Sequence, residues 1–126
     1  MSDWVQRYFD DVDSMQMEPF LAWHTPEIRV RFANNPEAVG QEQVRSAIGQ
    51  FWDAIGGLKH NIVNVWETPD HSAVVESMID YTRKDGRVVT IPCTTILHRD
   101  GDKVDSLRIY LDGTPIFAPA DTLAAT

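Results

Sequence analysis

Apolar residues near the start of the chain recur with the period of a helix. Residues 3–15 carry apolar side chains at intervals of three and four, which predicts an amphipathic helix. A shorter helix is predicted at residues 17–23. Pro26 limits this second helix, because proline disfavours helical backbone in the residue before it.

A short strand and a third helix are predicted next. Residues 28–32 alternate between apolar and polar side chains, as a strand does. Residues 33–40 have the Asn, Pro and Gly composition of a turn. A helical stripe that includes Val44 and Ile48 follows, and Gly56 with its glycine neighbour ends it.

The second half of the chain consists of strand-like segments. They cover roughly residues 60–67, 72–83, 88–99 and 103–111. Asp-Gly pairs in two of the connections favour hairpins, so these strands form an antiparallel meander. Helices followed by a meander, without βαβ alternation, predict an α+β fold with three N-terminal helices packed on a curved antiparallel sheet. We expect one domain at residues 1–117 and a tail at residues 118–126.

Composition and charge narrow the range of partners. The chain has 126 residues and a formal net charge of -8, which disfavours nucleic acid and anionic membrane surfaces as partners. It contains no apolar run long enough to span a bilayer, and its acidic start does not resemble a secretory signal. A cytoplasmic protein is the simplest interpretation.

No metal or cofactor site is predicted. Cys93 is the only cysteine, and its apolar neighbours indicate a buried structural thiol. Asp10, Asp11 and Asp13 lack the spacing of a calcium loop, so we interpret them as the solvated side of the first helix. The four histidines show no pairing at metal-ligand spacing.

The order of elements and three local motifs resemble the nuclear transport factor two-like superfamily. This superfamily includes the SnoaL-like polyketide cyclases, ketosteroid isomerases and limonene-epoxide hydrolases. The motifs are VQRY in the first helix, VGQEQVRSAI at the third helix and DGDKVDSLRIYLD at the last hairpin and strand. The resemblance implies a cone-shaped fold with a pocket between the concave sheet face and the helices. It also implies a homodimer across the opposite face, where Arg108 and Tyr110 are expected.

Asp80 is the first candidate for catalysis. Side chains two apart on a strand share a face, so Glu76, Met78 and Asp80 point the same way. The resemblance places Asp80 where epoxide hydrolases hold the aspartate that acts as an acid, which implies that this face lines the pocket. The alternative is an exposed aspartate at the end of a strand.

Other working residues of the superfamily are replaced in this chain. The hydrolase arginine and its second aspartate correspond to Met78 and Ile109, and the isomerase base corresponds to Phe32. The isomerase tyrosine that donates to an oxyanion matches Tyr8, whereas the acid that shares this task corresponds to Thr94. The resemblance therefore retains a donor and lacks the usual bases.

His60 is the remaining candidate for a base, because imidazole titrates near neutral pH. Asp80 would orient it if the two strands are in register; a structural histidine is the alternative. His24 is expected at a helix end with a structural role. Tryptophans either wall a ligand cavity or fill the core. The predicted pocket residues are Trp4, Trp23, Phe32, Trp52, Met78, Thr94 and Ile109.

Two functions remain open. The first is a cofactor-independent isomerase, cyclase or hydrolase that transfers protons on a small hydrophobic substrate, with Asp80, Tyr8 and His60 as catalytic residues. The second is a non-catalytic module that binds a hydrophobic ligand or mediates dimerisation. An enclosed cavity that brings Asp80 and Tyr8 together would favour the enzyme, and an outward-facing Asp80 or a filled cavity would favour the module.

Overall fold

The structure is a computed structural model, and it describes residues 3–123. Within these residues the helices are α1 (Asp3–Asp13), α2 (Met17–Leu21), α3 (Gln41–Asp53) and α4 (Thr114–Phe117), with a 3-10 turn at Ala120–Thr122. The strands are β1 (His24–Phe32), β2 (Ala38–Val39), β3 (Gly57–Glu67), β4 (Ser72–Thr82), β5 (Val88–Asp100) and β6 (Lys103–Tyr110). None of the described helices is long and apolar enough to cross a membrane.

The strands form one curved, mixed sheet in the order β2-β1-β6-β5-β4-β3. The predicted meander from β3 to β6 is confirmed, and each of its neighbouring pairs is antiparallel. The sheet is not antiparallel throughout, because β1 runs parallel to β6, with Val30 opposite Leu107. The long connection through α3 and four strands allows this parallel pairing.

Several boundaries differ from the sequence-based expectation. The three predicted helices correspond to α1, α2 and α3, and α4 is a fourth, so the count of three is not confirmed. Strand β1 begins at His24 rather than at residue 28, so His24 belongs to the sheet and not to a helix end. The short strand β2 lies in the segment that was expected to be only a turn.

Helix α1 packs across the inner face of the sheet. It buries Trp4, Val5, Tyr8 and Phe9, as its apolar stripe predicted. The inner face of β4 is formed by its odd-numbered residues, which are all buried: Ala73, Val75, Ser77, Ile79 and Tyr81. Cys93 is also buried, as predicted. The core therefore lies between α1, α3 and the inner face of the sheet.

Arg83 links the segment around α4 to the β4-β5 hairpin by hydrogen bonds. Its Nη1 donates to the Pro115 carbonyl at 2.7 Å and its Nη2 to the Ala118 carbonyl at 2.7 Å. Asp85 accepts further hydrogen bonds from the same guanidinium. Of the predicted tail at residues 118–126, residues 124–126 lie outside the described residues.

Replacing Arg83 with methionine should lower the free energy of unfolding by about 2 kcal/mol, because two carbonyls lose charge-assisted hydrogen bonds. Urea unfolding measures this change. The control is Arg87→Met on the same hairpin, where the exposed guanidinium makes one long hydrogen bond to Ala120, at 3.4 Å. The control should cost less than about 0.5 kcal/mol; equal losses would contradict the role assigned to Arg83.

Candidate functional site

A narrow cavity lies between helices α1, α2 and α3 and the inner face of the sheet. Its free volume is about 40 Å³, enough for a few water molecules. The walls are mainly aliphatic and aromatic side chains, among them Phe9, Trp52, Ile79 and Ile109. Four side chains bring polar atoms to this apolar lining, namely Tyr8, His60, Tyr81 and Thr95.

His60 is held by Asp13 from the end of α1. Asp13 Oδ1 lies 2.6 Å from His60 Nδ1, and Asp13 Oδ2 accepts the backbone N–H of His60 at 2.8 Å. A carboxylate at Nδ1 favours the tautomer that carries its proton there, which leaves Nε2 as a proton acceptor. Phe9 packs on the ring with centroids 4.5 Å apart. His60 is thus buried, oriented and adjacent to the cavity.

Tyr8 and His24 form a second buried pair. The Tyr8 hydroxyl and His24 Nε2 are 2.8 Å apart, and the tautomer of His24 decides which of them donates. Burial lowers the pKa of His24 to about 4, so its ring is neutral at physiological pH. Burial also raises the pKa of Tyr8 far above its ordinary value, so the hydroxyl keeps its proton.

Tyr81 and Thr95 supply hydroxyls from neighbouring strands. Burial raises the pKa of Tyr81 well above its usual range, so it too is a neutral phenol. Thr95 is buried, and its Oγ1 lies 3.6 Å from Cys93 Sγ. The cavity therefore combines one oriented imidazole with neutral hydroxyl groups, an arrangement suited to proton transfer on an uncharged substrate.

Asp80 does not line this cavity, so its predicted placement is wrong. It lies opposite Lys59 and Thr90 in the sheet, on the face that points away from the helices. Its carboxylate accepts hydrogen bonds from Thr90 Oγ1 at 2.6 Å and Asn61 Nδ2 at 3.1 Å. His60 lies opposite Ile79 and faces inward, so the predicted contact between His60 and Asp80 is also absent.

The other predicted pocket residues divide into four groups. Trp52 and Ile109 line the cavity. Met78 and Thr94 share the outer face with Asp80, because both follow the same alternation. Phe32 packs against Phe51 beside the cavity, with ring centroids 4.8 Å apart. Trp4 and Trp23 line a separate cleft on the other side of α1.

Asp13 and Tyr81 were missed in the sequence, although each carries a signal. Asp13 lies four residues after Phe9 and eight after Val5, which places it on the buried stripe of α1 rather than on a solvated side. Tyr81 alternates with Ile79 on the more apolar side of β4. Counting apolar residues on each face of β4 would have identified the inner one.

Comparison with known proteins places the chain in a described family. The sequence profile of the SnoaL-like domain matches residues 5–107. No curated protein matches the chain. The profile covers most of α1 to β6, which are the elements that form the cavity.

Solved structures share the fold at low sequence identity. A protein from Jannaschia sp. CCS1, assigned to the SnoaL-like polyketide cyclases, is 23% identical with a TM-score of 0.76, over 91% of this chain and 90% of that one. A Catenulispora acidiphila protein with a ketosteroid isomerase-like fold, crystallised with trimethylamine, is 15% identical with a TM-score of 0.81, over 95% and 96%. SalBIII, an epoxide hydrolase/cyclase-like enzyme with a role in pyran ring formation in the polyether salinomycin, is 16% identical with a TM-score of 0.76. The match covers 87% of this chain and 88% of that one.

The buried His24 should make stability depend on pH. Its folded pKa of about 4 lies below the ordinary 6.5, so the unfolded chain takes up a proton first as the pH falls. The free energy of unfolding therefore falls when the pH is lowered from 7 to 5. We expect this fall to be about 2 kcal/mol larger in wild type than in His24→Gln. Urea unfolding at both pH values measures this difference. The other histidines titrate in both wild type and the variant, so their effects cancel in the comparison. Equal losses of unfolding free energy in the two proteins would contradict the pH dependence assigned to His24.

Proposed function

The chain belongs to the SnoaL-like domain family, and from that premise we propose that it is a cofactor-independent enzyme that transfers a proton on a small apolar substrate. His60 is the base, and Asp13 orients it. One observation carries the proposal: the Asp13–His60 pair presents an imidazole to a cavity whose lining is mainly apolar. The cyclase and epoxide hydrolase/cyclase-like relatives are consistent with this class of chemistry.

The reaction consists of abstraction of a proton from carbon and its return to another atom. His60 Nε2 takes a proton from a carbon next to a carbonyl, and the electron pair moves onto the carbonyl oxygen as an enolate. The Asp13 carboxylate stabilises the resulting imidazolium, because opposite charges attract strongly in an apolar site. In an isomerisation, His60 then returns the proton to the far carbon of a conjugated enolate. In a cyclisation, the enolate carbon first attacks a second carbonyl carbon of the same substrate, and His60 gives its proton to the alkoxide oxygen formed there.

Hydroxyl groups around the cavity stabilise the negative oxygen of the enolate. Tyr81 is a neutral phenol at the cavity wall and is the principal donor. Tyr8 acts as a second donor when His24 carries its proton on Nε2. In that tautomer His24 donates to the Tyr8 oxygen, and the hydroxyl proton of Tyr8 is left to donate to the substrate. Trp52 and Ile109 bound the substrate on its apolar sides. Asp80, Met78 and Thr94 have no part in this mechanism, since they lie on the other face.

Deuterium wash-in from D2O at the α-carbons of small cyclic ketones, followed by NMR, tests the proposal. We expect wild type to exchange cyclopentanone faster than His60→Gln by about 10²-fold, the ordinary contribution of a positioned base. Asp13→Asn should also slow exchange, because the amide no longer stabilises the imidazolium. Equal exchange rates in wild type and His60→Gln would refute His60 as the base.

Asp80→Asn is the matched control for Asp13→Asn. Both variants convert one carboxylate to an amide, but Asp80 lies on the outer face of the sheet. Exchange by Asp80→Asn should equal that of wild type, and thermal unfolding should show that all three variants fold. A loss of exchange in Asp80→Asn as large as in Asp13→Asn would contradict the site.

A non-catalytic homodimer module is the second candidate, and three observations favour it. Asp80 faces away from the cavity, which is the outcome that favours a module. The cavity is small, and the outer sheet face exposes apolar side chains. These include Trp66, Met78, Val88 and Tyr110. Sedimentation of wild type and Met78→Glu tests the interface: a dimer that the charge dissociates supports this candidate, and a monomeric wild type contradicts it.

A further inference from the structure

A second and wider cleft lies on the opposite side of α1 from the cavity. Its volume is about 470 Å³, and none of its lining residues lines the cavity. Helix α1 contributes one wall, the region of α2 the second, and the β5-β6 hairpin the third. The lining residues are Trp4, Arg7, Asp11, Pro19, Ala22, Trp23, Arg99, Asp102 and Lys103.

Two indole rings form rigid apolar surfaces in the cleft. The Trp4 Nε1–H donates to Glu67 Oε1 at 3.1 Å, and the Trp23 Nε1–H donates to Asp11 Oδ2 at 2.7 Å. These hydrogen bonds fix both rings and satisfy their only polar atoms. Trp4 is buried with Arg99 over its ring, whereas Trp23 is only partly buried and offers a pre-organised face to an apolar or aromatic group.

Three cations line the same cleft in a protein of net charge -8. Arg99 stacks over the Trp4 ring, with its guanidinium carbon 4.1 Å from the centroid. Lys103 Nζ donates to the Ala22 carbonyl at 2.5 Å, and Arg7 is exposed. Among residues 3–123, the ion pairs of the structure include none of these three cations.

Arg99 also has an unmet hydrogen-bonding requirement. Its Nε is buried and lacks a hydrogen-bond partner among the described residues. A cation stacked on an indole keeps its N–H edge for an acceptor, and an unpaired buried donor is costly. The Nε has almost no exposed surface, so an anionic group in the cleft reaches this guanidinium through its Nη atoms, which make no hydrogen bond within the described residues.

We propose that the cleft binds a small monoanionic carboxylate with a flat apolar body. The indole of Trp23 holds the body, Trp4 supports the Arg99 guanidinium from below, and Arg7, Arg99 and Lys103 attract the carboxylate. Asp11 and Asp102 leave the lining with three positive and two negative charges, which matches one negative charge better than the two of a phosphate monoester.

Titration of the protein with 2-naphthoate at low ionic strength, followed by the indole N–H resonances, tests the proposal. The resonances of Trp4 and Trp23 should shift, and those of Trp52 and Trp66 should not. Trp52 lines the cavity, so a shift confined to Trp52 would place the ligand there and overturn the proposal. The uncharged 2-naphthalenemethanol should bind less tightly; equal affinity would also overturn it.

Charge variants distinguish the cleft from a general electrostatic effect. Arg7→Gln should weaken 2-naphthoate binding by up to about 5-fold, the range of a solvent-exposed ion pair. Asp102→Asn should strengthen it, because a repelling charge is removed. Arg108→Gln removes an exposed arginine from the outer sheet face and should leave affinity unchanged. Equal weakening in Arg7→Gln and Arg108→Gln would refute the assigned site.

Discussion

Helix α1 is fixed across the inner face of the sheet by two buried hydrogen-bonded pairs. Tyr8 binds His24 at the start of β1, and Asp13 binds both the ring and the backbone of His60 in β3. These contacts join the helix to strands that are far apart in the sheet order, so they set its angle over the sheet. Tyr8 and His60 also line the cavity. The hydrogen bonds that position the helix therefore also orient two polar side chains of the cavity wall.

Hydrogen bonds on the outer face of the sheet account for the carboxylates found there. Asp80 accepts hydrogen bonds from both neighbouring strands, and Glu76 accepts one from Asn64 Nδ2 at 2.9 Å. Cross-strand polar pairs of this kind stabilise a solvated sheet face and help to fix its register. These hydrogen bonds give the outer carboxylates a structural role. Asp13, by contrast, orients the imidazole of His60 beside the cavity.

The sequence predicts local features well and distant pairings poorly. The period of α1 and the Asp-Gly hairpins depend on neighbouring residues, so the helices and the meander were predictable. The parallel pairing of β1 with β6 depends on the whole chain between them and leaves no local trace. The face of Asp80 was inferred from resemblance, against the alternation of Ile79 and Tyr81 on the more apolar side. Fold resemblance transferred the architecture correctly and assigned Asp80 to the wrong face of the sheet.

Helix α1 lies between the cavity and the cleft and contributes side chains to both. Tyr8 and Asp13 face the enclosed side, whereas Arg7 and Asp11 face the cleft. Trp23 lies between them, bonded to Asp11 and in edge contact with the Tyr8 ring at 5.6 Å between centroids. An ion that enters the narrow apolar cavity loses its hydration with no cation to replace it, whereas the cleft keeps solvent and supplies three cations. On the two proposals, charge therefore separates the ligands: neutral molecules suit the cavity, and carboxylates suit the cleft.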